Sequence, residues 1–216
     1  MSAHRRTPRD KRRLGQNFLH PWFADRLVAE ADFRPGELVV EIGAGLGAIT
    51  LALAHRGIDV VAVEVDPVYV QRLRASVRSA GRVRVVQADF RSFPLPTRPF
   101  RVMGSLPFGE TTGILRRLLD NPSVPLKRAD VIVQWEVARK RAAVPPSTLL
   151  STVWAPWWEF RLGRRIQAAE FRPIPQVDGG MLVVMRRDRP ILPPAMATRW
   201  AGFVRSHWPL DRASVS

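Results

Sequence analysis

The sequence predicts an α/β fold with a mostly parallel β-sheet covered by helices on both faces. Short apolar, β-branched runs recur through the middle of the chain, and helix-like segments separate them. The first of these runs ends in a glycine-rich turn at residues 43–47. Continuous apolar runs indicate strands that are buried on both faces, which is typical of parallel sheets with helical crossovers.

The predicted elements follow one another in a regular order. Strands are predicted at residues 38–42, 60–65, 83–87, 101–104, 131–134 and 182–185. Helices are predicted at residues 48–55, 68–80 and 112–119, each followed by glycine or by Asn121-Pro122. Such residues commonly end helices. The aromatic segment 154–160 is a candidate for a further strand, antiparallel to the last one, and residues 191–216 have room for one or two helices.

The composition points to a polyanionic partner. The chain of 216 residues has 34 Lys and Arg against 19 Asp and Glu, a formal net charge of +15. Such an excess attracts nucleic acid, because neutralised phosphates release their condensed counterions. A membrane surface is a weaker alternative, since no basic amphipathic helix with a broad apolar face stands out. No apolar run approaches the roughly 20 residues that span a bilayer, and we expect no membrane partner.

The absence of cysteine excludes a disulfide framework and any thiolate metal site or nucleophile. This is consistent with a cytoplasmic protein. The first residues, 1–13, are strongly basic and lead into no hydrophobic signal region, so they are interpreted as a flexible, phosphate-seeking arm. A solvated tail without a role is the alternative.

A cofactor site is predicted where the first three strands end. Gly43 and Gly45 allow a tight turn and close approach of a ligand to a helix N-terminus, although such a loop alone is weakly specific. Glu64 ends the second strand, where a carboxylate reaches ribose hydroxyls. Asp89 ends the third, where it can accept a hydrogen bond from an adenine amino group beside the Phe90 ring. The alternative for both carboxylates is strand-end solvation or helix capping.

A substrate site is predicted directly after the fourth strand, in Ser105-Leu106-Pro107-Phe108. This turn resembles the loop of N6-adenine and N4-cytosine methyltransferases, which has Asn or Asp at its first position. An exocyclic amine is a poor nucleophile, and two acceptors on its hydrogens direct its lone pair towards a methyl donor. Pro107 stiffens the turn, and Phe108 can stack on a base taken out of its helix. Together with Asp89 this favours S-adenosyl-L-methionine over a nicotinamide cofactor, and no metal is required.

The first position of that turn departs from the pattern. Ser105 can accept one hydrogen bond, but its side chain is shorter than a carboxamide, while the Leu106 carbonyl remains as a second acceptor. We therefore expect a chain that keeps the fold and binds cofactor but methylates slowly. An ordinary tight turn without catalytic meaning is the alternative.

With these residues in view, the chain resembles the erythromycin-resistance (Erm) rRNA adenine N6-methyltransferases over about residues 13–187. The resemblance implies a Rossmann-like class I methyltransferase with a mostly parallel, seven-stranded sheet. Its N-terminal motif corresponds to residues 14–19, and its late signature corresponds to residues 171–178. It implies the following cofactor-binding residues: Gln16, Asn17, Leu19, Glu41, Gly43, Gly45, Glu64, Val65, Asp89, Phe90 and Ser105.

The implied partner is 23S rRNA, with one adenine flipped into the site of a monomeric enzyme and resistance to macrolide, lincosamide and streptogramin B antibiotics as the outcome. Ser105, Leu106, Pro107 and Phe108 would be the catalytic residues. The residues expected to contact RNA or the base are Phe108, Phe171, Arg116, Arg139, Lys140, Arg141, Arg164 and Arg165. Each basic residue is individually more typical of a solvated face than of a contact.

Three domains are expected: the basic arm, residues 1–13; the methyltransferase domain, residues 14–188; and residues 189–216, a remnant of the family's helical C-terminal RNA-binding domain. Three alternatives remain open. These are a 16S rRNA adenine dimethyltransferase, an inactive RNA-binding module suggested by Ser105, and, less favoured, a nucleotide oxidoreductase. The sequence does not decide whether the tryptophans at positions 135, 154, 157 and 158 are core or surface.

Overall fold

The computed structural model describes residues 17–209 and has a central sheet of seven strands. In chain order the strands are β1 (Phe18–Leu19), β2 (Leu38–Ile42), β3 (Asp59–Glu64), β4 (Val83–Gln87), β5 (Phe100–Ser105), β6 (Leu126–Gln134), β7 (Trp158–Ile166), β8 (Phe171–Arg172) and β9 (Gly179–Arg186). The helices are α1 (Pro21–Glu30), α2 (Ala48–Ala54), α3 (Pro67–Ser76), α4 (Thr111–Leu119), α5 (Trp135–Arg141), α6 (Leu149–Trp154) and α7 (Ala197–Ser206).

The order of strands in the sheet is β4-β3-β2-β5-β6-β9-β7. The first five are parallel, and β9 runs antiparallel to both β6 and β7. This confirms the predicted mostly parallel, seven-stranded α/β fold. The sheet order reverses between β2 and β5, and in open α/β sheets such a reversal opens a crevice at the carboxyl ends of the strands. The short strands β1 and β8 pair separately, antiparallel to each other.

Helices cover both faces of the sheet because successive residues of a strand point to opposite sides. In β2, Val39 belongs to the apolar cluster under α1 and α2, whereas Val40 belongs to the cluster under α4. Both side chains are 0% exposed. The short β2 run is therefore apolar at consecutive positions, as a strand between two helical layers requires.

Local signals explain where several helices begin. Asp66 caps α3 by accepting a hydrogen bond from the Val68 N–H at 2.9 Å, and Pro67 occupies the first helical position. Thr148 caps α6 by accepting from the Ser151 N–H at 3.2 Å. In α4, Ile114 and Leu118 share one buried face that packs on the sheet.

The last strands differ from the prediction. β9 begins at Gly179, three residues before the predicted start, and includes both glycines of Gly179-Gly180. A Cβ at Gly180 would lie 2.8 Å from the Trp135 ring, so glycine here allows α5 to pack closely on the strand. The aromatic strand starts at Trp158, because α6 continues to Trp154. It is antiparallel to β9, as predicted.

Three tryptophans form part of the core beneath α4 and α7. Trp154, Trp157 and Trp158 are at most 2% exposed. Each indole N–H is satisfied, by the Asp120 carboxylate at 2.7 Å, by the Leu192 carbonyl at 2.7 Å and by the Leu119 carbonyl at 3.2 Å, respectively. Buried indoles need such a partner. Trp154, Trp157 and Trp158 are therefore core residues, whereas Trp135 is half-buried.

Candidate active site

A cavity opens at the carboxyl ends of the parallel strands and encloses about 910 Å³, counting its open mouth. Residues from four consecutive strand ends meet there, as expected for an open α/β sheet. The predicted cofactor and catalytic residues that line it are Asn17, Gly43, Gly45, Glu64, Val65, Asp89, Phe90, Ser105 and Pro107. Their roles in binding stay predictions, but the fold brings them to one place.

The glycine-rich turn forms the floor of this cavity. Gly43 and Gly45 have φ angles of 69° and 53°, in the left-handed region that favours glycine. The backbone N–H groups of Gly43 and Ala44 both donate to the Val63 carbonyl, which ties the turn to β3. A Cβ at Gly45 would lie 2.7 Å from the Phe18 ring, so only glycine lets this ring cover the turn.

Glu64 is held firmly by the backbone around it. One carboxylate oxygen accepts from the Gly45 N–H at 2.8 Å and the other from the Asp66 N–H at 2.8 Å. The residue is 7% exposed but still lines the cavity. Each oxygen of a carboxylate has two lone-pair sites, so acceptor capacity remains for the hydroxyl groups of a ribose.

Asp89 sits on the cavity wall in a dense set of hydrogen bonds. It accepts from the Arg91 N–H at 2.9 Å and from the Arg91 guanidinium at 2.6 and 3.1 Å. The hydrogen-bonding Arg91 side chain lowers the pKa of the Asp89 carboxyl below its usual value, so it is ionised at neutral pH. Beside it, Phe90 is 6% exposed and stacks on Phe93 with ring centroids 6.1 Å apart.

The turn after β5 closes the other side of the cavity. The Leu106 N–H donates to the Ile132 carbonyl at 2.9 Å, and the Glu110 N–H donates to the Pro107 carbonyl at 2.9 Å as α4 begins. Within residues 17–209, neither the Ser105 hydroxyl nor the Leu106 carbonyl is engaged in a hydrogen bond. Of these two unengaged acceptors, the one on Ser105 belongs to a residue that lines the cavity, whereas Leu106 is 2% exposed and does not line it.

Comparison with known proteins gives a decisive match: the model of the ribosomal RNA adenine dimethylase family fits residues 8–215 of this chain. The chain belongs to the ribosomal RNA adenine dimethylase family. Membership confirms the predicted resemblance to the Erm enzymes and the assignment as a methyltransferase. It also confirms S-adenosylmethionine as the cofactor, which this class of enzyme uses.

Relatives within the dimethylase family agree. An rRNA adenine N-6-methyltransferase of Corynebacterium diphtheriae is 41% identical over 179 residues, which cover 83% of this chain and 70% of that protein. The mycinamicin-resistance protein MyrB of Micromonospora griseorubida is 41% identical over 180 residues, with 83% of this chain and 57% of its own length covered. The chain thus spans between 57% and 70% of these curated relatives.

A solved structure supports the same assignment. The 23S rRNA methyltransferase ErmE superposes with a TM-score of 0.77 at 30% identity, covering 88% of this chain and 78% of that one. The fold of this chain and the fold of ErmE therefore agree over nearly all of the described residues. In residues 17–209 of this family member, no helix is long and apolar enough to cross a membrane.

Among the described residues, two of the expected cofactor residues, Leu19 and Glu41, do not line the cavity. Gln16 lies outside the described residues. Leu19 is 7% exposed and packs in the core beside α1, because β1 pairs with β8. Glu41 is 1% exposed and accepts from the Thr50 hydroxyl at 2.5 Å, behind the glycine-rich turn. Burial raises the pKa of the Glu41 carboxyl to about 8.

Phe171 was expected to stack on the target base, and the structure corrects this interpretation. Phe171 is 1% exposed and pairs with Leu19 across the small β1–β8 sheet. Its ring would be 3.3 Å from a Cβ at Gly179, so it fills space in the core and is not available to a base. Phe108 is half-buried and not among the residues lining the cavity.

The expected RNA-contacting cations divide into two groups. Arg116, Arg139, Lys140 and Arg165 are exposed. Arg141 is half-buried and donates to the Thr148 hydroxyl at 2.7 Å, and its pKa is lowered by burial. Arg164 pairs with Glu30 at 2.8 Å and has a side chain only 31% exposed. The last two are therefore less accessible than the others. Three of the exposed cations also have ion-pair partners: Arg116 pairs with Asp120 at 3.3 Å, Arg139 with Glu136 at 3.1 Å and Arg165 with Asp178 at 2.8 Å. A contact with RNA would have to compete with these exposed pairs.

The aromatic and charged residues that line the cavity without having been proposed for the site are Phe18, Tyr69, Arg91 and Glu110. Phe18 and Tyr69 pack together with ring centroids 5.0 Å apart. Phe18 lies inside the N-terminal motif, so its position beside Asn17 was a usable signal. Tyr69 lies in the first turn of α3 and Glu110 directly precedes α4, and nothing local distinguishes them.

Proposed function

We propose that this chain transfers the methyl group of S-adenosylmethionine to the exocyclic N6 of an adenine in 23S rRNA. One observation carries the proposal: Ser105 and Pro107 of the substrate turn line the same cavity as Gly45, Glu64 and Asp89. A single cavity can therefore hold the methyl donor on one side and the acceptor amine on the other. Holding both reactants in one orientation supplies much of the catalysis for such a transfer.

The residues present fit the cofactor. When bound, S-adenosylmethionine supplies a methyl group that its sulfonium already activates. Glu64 has acceptor capacity left for ribose hydroxyls, and the ionised Asp89 can accept from the adenine amino group beside Phe90. The positive φ of Gly43 and Gly45 keeps the backbone open to close approach. Asn17 lines the cavity and is the candidate contact for the methionine part.

The target amine would be held by the turn after β5. The Ser105 hydroxyl and the Leu106 carbonyl can each accept one amine hydrogen, which directs the nitrogen lone pair towards the methyl group. Pro107 restricts the turn, and its carbonyl is fixed by the Glu110 N–H at 2.9 Å. The half-buried Phe108 ring follows in the same turn and can stack on an adenine flipped out of its helix.

RNA binding is the part of the proposal that rests on charge. The exposed cations Arg116, Arg139, Lys140 and Arg165, within a chain of net charge +15, favour a polyanion. We propose that the basic residues 1–13 and the C-terminal residues 189–216 add to this binding around the methyltransferase domain, residues 14–188. A monomer acting in the cytoplasm, with macrolide, lincosamide and streptogramin B resistance as the outcome, completes the proposal.

The test is methyl transfer to each rRNA separately. The full chain is incubated with labelled S-adenosylmethionine and either 23S or 16S rRNA, and mass spectrometry with primer extension locates any methylated adenine. We expect one N6-methylated adenine in 23S rRNA, with the Glu64→Ala variant as the inactive control. Methylation of 16S rRNA instead would favour the small-subunit alternative and contradict the proposal.

A weakened enzyme is the second candidate, because Ser105 is the shorter acceptor in the position that matters most. Binding of S-adenosylhomocysteine by calorimetry, combined with undetectable transfer to either RNA, would support an RNA-binding module. Binding together with slow transfer would support the weakened methyltransferase.

A further inference from the structure

Arg91 lies on the wall of the cavity, and the proposed reaction gives it no role. Its side chain is bonded on two sides. The Nε and Nη2 groups donate to Asp89 at 3.1 and 2.6 Å, and Nη1 donates to Glu110 at 3.0 Å. One guanidinium thus joins a residue at the end of β4 to a residue at the start of α4.

The contacts with Arg91 orient the carboxylate of Asp89. Three N–H groups of Arg91 point at this carboxylate: the backbone N–H, Nε–H and one Nη2–H. A carboxylate offers about four lone-pair sites. Nε–H is shared between the two oxygens, so each oxygen receives two of these contacts. The Asp89 side chain is nevertheless 38% exposed on the cavity wall and can receive a further donor. The two-point contact with a planar guanidinium fixes which way the carboxylate faces. The pKa of Asp89 is lowered mainly by its hydrogen bond to Arg91, so the acceptor stays ionised.

The Glu110 contact leads to the substrate turn. The Glu110 N–H donates to the Pro107 carbonyl at 2.9 Å, and Glu110 precedes α4 directly. The Arg91 side chain also packs along α4, with its Cδ 3.7 Å from the position of a Cβ at Gly113. The guanidinium is therefore the link between the proposed adenine seat of the cofactor and the turn that holds Ser105 and Pro107.

We propose that Arg91 is a positioning residue that orients Asp89 towards the adenine of the cofactor and, through Glu110, ties the occupied cofactor site to the Ser105–Phe108 turn. The inference rests on the proposed function and names a part of its machinery. In this role Arg91 acts on the cofactor through Asp89 and on the substrate turn through Glu110.

The chain offers a matched control for an ordinary surface ion pair. Arg82 pairs with Asp59 at 2.8 Å, with side chains 58% and 34% exposed, close to the 55% and 38% of Arg91 and Asp89. Arg82 precedes β4, at the edge of the sheet where the parallel strands begin, and does not line the cavity. Exposed pairs of this kind contribute little by themselves, so any effect specific to Arg91 comes from its place in the site.

The first test is a double-mutant cycle for binding of S-adenosylhomocysteine by the full chain, measured by calorimetry. We expect Arg91→Ala to weaken binding about tenfold, the effect of losing a charge-assisted hydrogen bond, and Arg82→Ala to change it less than about twofold. In an Asp89→Ala background, Arg91→Ala should have almost no further effect, because Arg91 acts through that carboxylate.

Additive losses in the cycle would overturn the first half of the proposal, as would tighter binding by Arg91→Ala, which would mean that the guanidinium competes with adenine for Asp89. If the unaltered chain binds no S-adenosylhomocysteine, the proposed function itself fails. Urea unfolding of every variant separates a loss of binding from a loss of fold.

The second test uses Glu110→Gln, which removes the charge but keeps the size of the side chain. We expect the KM for S-adenosylmethionine to stay within about twofold and kcat for RNA methylation to fall about threefold or more, in the range of moderate couplings between sites. Arg91→Ala should change both constants. An unchanged kcat for Glu110→Gln would overturn the link to the substrate turn, and an equal change in KM and kcat would mean a general structural role.

Discussion

At the scale of the residue, Ser105 combines the right place with a short side chain. It ends β5, pairs in register with Ile132 and lines the cavity beside Gly43. The turn is tied to β6 by the Leu106 N–H, which donates to the Ile132 carbonyl at 2.9 Å, so the reach of Ser105 depends on the length of its side chain. A hydroxyl offers an acceptor closer to the backbone than a carboxamide does, so the geometry of the amine is held less well.

We therefore predict that Ser105→Asn raises kcat for adenine methylation on the order of tenfold, since an oriented group at a reacting centre contributes at least this much. Single-turnover transfer of labelled methyl to 23S rRNA measures it. Ser123→Asn, the same change in an exposed turn, should leave the rate unaltered. A Ser105→Asn enzyme no faster than the unaltered chain would contradict the weakened-enzyme interpretation.

Glu41 belongs to the glycine-rich segment but is buried behind the cavity instead of lining it. Its carboxyl is fully enclosed and accepts from the Thr50 hydroxyl at 2.5 Å, and burial raises its pKa from 4.5 to about 8. The negative charge of nearby Glu64 adds to the same shift. In the folded chain Glu41 is therefore protonated at neutral pH, whereas in the unfolded chain it is ionised.

This difference predicts a pH dependence of stability. Between pH 4.5 and about 8 the folded state holds a proton that the unfolded state has lost, so the free energy of unfolding falls as the pH rises through this window. Glu41→Gln should reduce that fall by an amount on the order of a few kcal/mol. Urea unfolding at pH 5 and pH 8.5 measures it.

Three carboxyls with a lowered pKa affect stability in a different range of pH, below that of Glu41. They are Asp25, Asp89 and Asp178. Their stabilisation is present above the pKa of the unfolded state and is lost in acid. They therefore do not disturb the comparison of Glu41→Gln with the unaltered chain. Parallel stability curves for these two proteins would show that Glu41 does not hold the proton.

At the scale of the element, the contact between β2 and β5 sets the width of the crevice. Gly104 pairs with Ile42 in register, and a Cβ on Gly104 would lie 2.4 Å from the Ile42 carbonyl oxygen and 3.0 Å from its nitrogen. Both contacts are with backbone, so no rotation of a side chain can relieve them. Glycine at this position lets the two central strands approach next to Ser105.

Gly104→Ala should consequently destabilise the chain by about 1–3 kcal/mol, as overpacking does, and should lower methyl transfer because Ser105 is displaced. Gly202→Ala in α7 is the matched control. A Cβ there meets no atom within 4 Å, so the change should stabilise the helix by about 0.5–1 kcal/mol. Urea unfolding measures the free energy of unfolding of both variants. Equal stability of Gly104→Ala and the unaltered chain would contradict the packing argument.

Prediction of the elements succeeded where the signal is local and failed where it is not. The strands β2 and β4 have the predicted bounds, because an apolar run between turn residues defines a buried strand. β6 begins at Leu126, five residues before its predicted start, and includes Arg128 and Asp130, whose carboxylate accepts from both Arg128 and Arg101. Charged residues in a central strand conceal it from any pattern of hydrophobicity.

At the scale of the whole molecule, not all of the basic residues behind the net charge of +15 can reach RNA, because some are buried in the fold and others are exposed. Arg101 and Arg186 are used inside the fold, where they bind backbone carbonyls. Arg139 and Lys140 are exposed on α5, which begins at the carboxyl end of β6, and Arg139 makes only an exposed ion pair with Glu136 at 3.1 Å. Charge available to RNA is thus smaller than the composition suggests.

RNA binding should therefore respond to the exposed cations and not to those buried in the fold. We predict that Arg139→Ala combined with Lys140→Ala lowers the slope of log binding constant against log salt concentration by about 1–1.5, or about 0.7 for each lost phosphate contact. Arg141→Ala should change stability but leave this slope unaltered. Filter binding to 23S rRNA between low and high salt measures both, and an equal slope for all three proteins would contradict the assignment.

The fold class, the carboxyl ends of the strands and the residues of the glycine-rich and substrate turns could be predicted from the sequence, because each of these depends on neighbours a few positions away. Which residues share the cavity became known from the three-dimensional packing. The link from Arg91 to Glu110 and the cover of Phe18 over Gly45 join residues 19 and 27 positions apart, and the core position of Phe171 follows from its pairing with Leu19. Contacts of this kind depend on how distant segments pack, which no local pattern records.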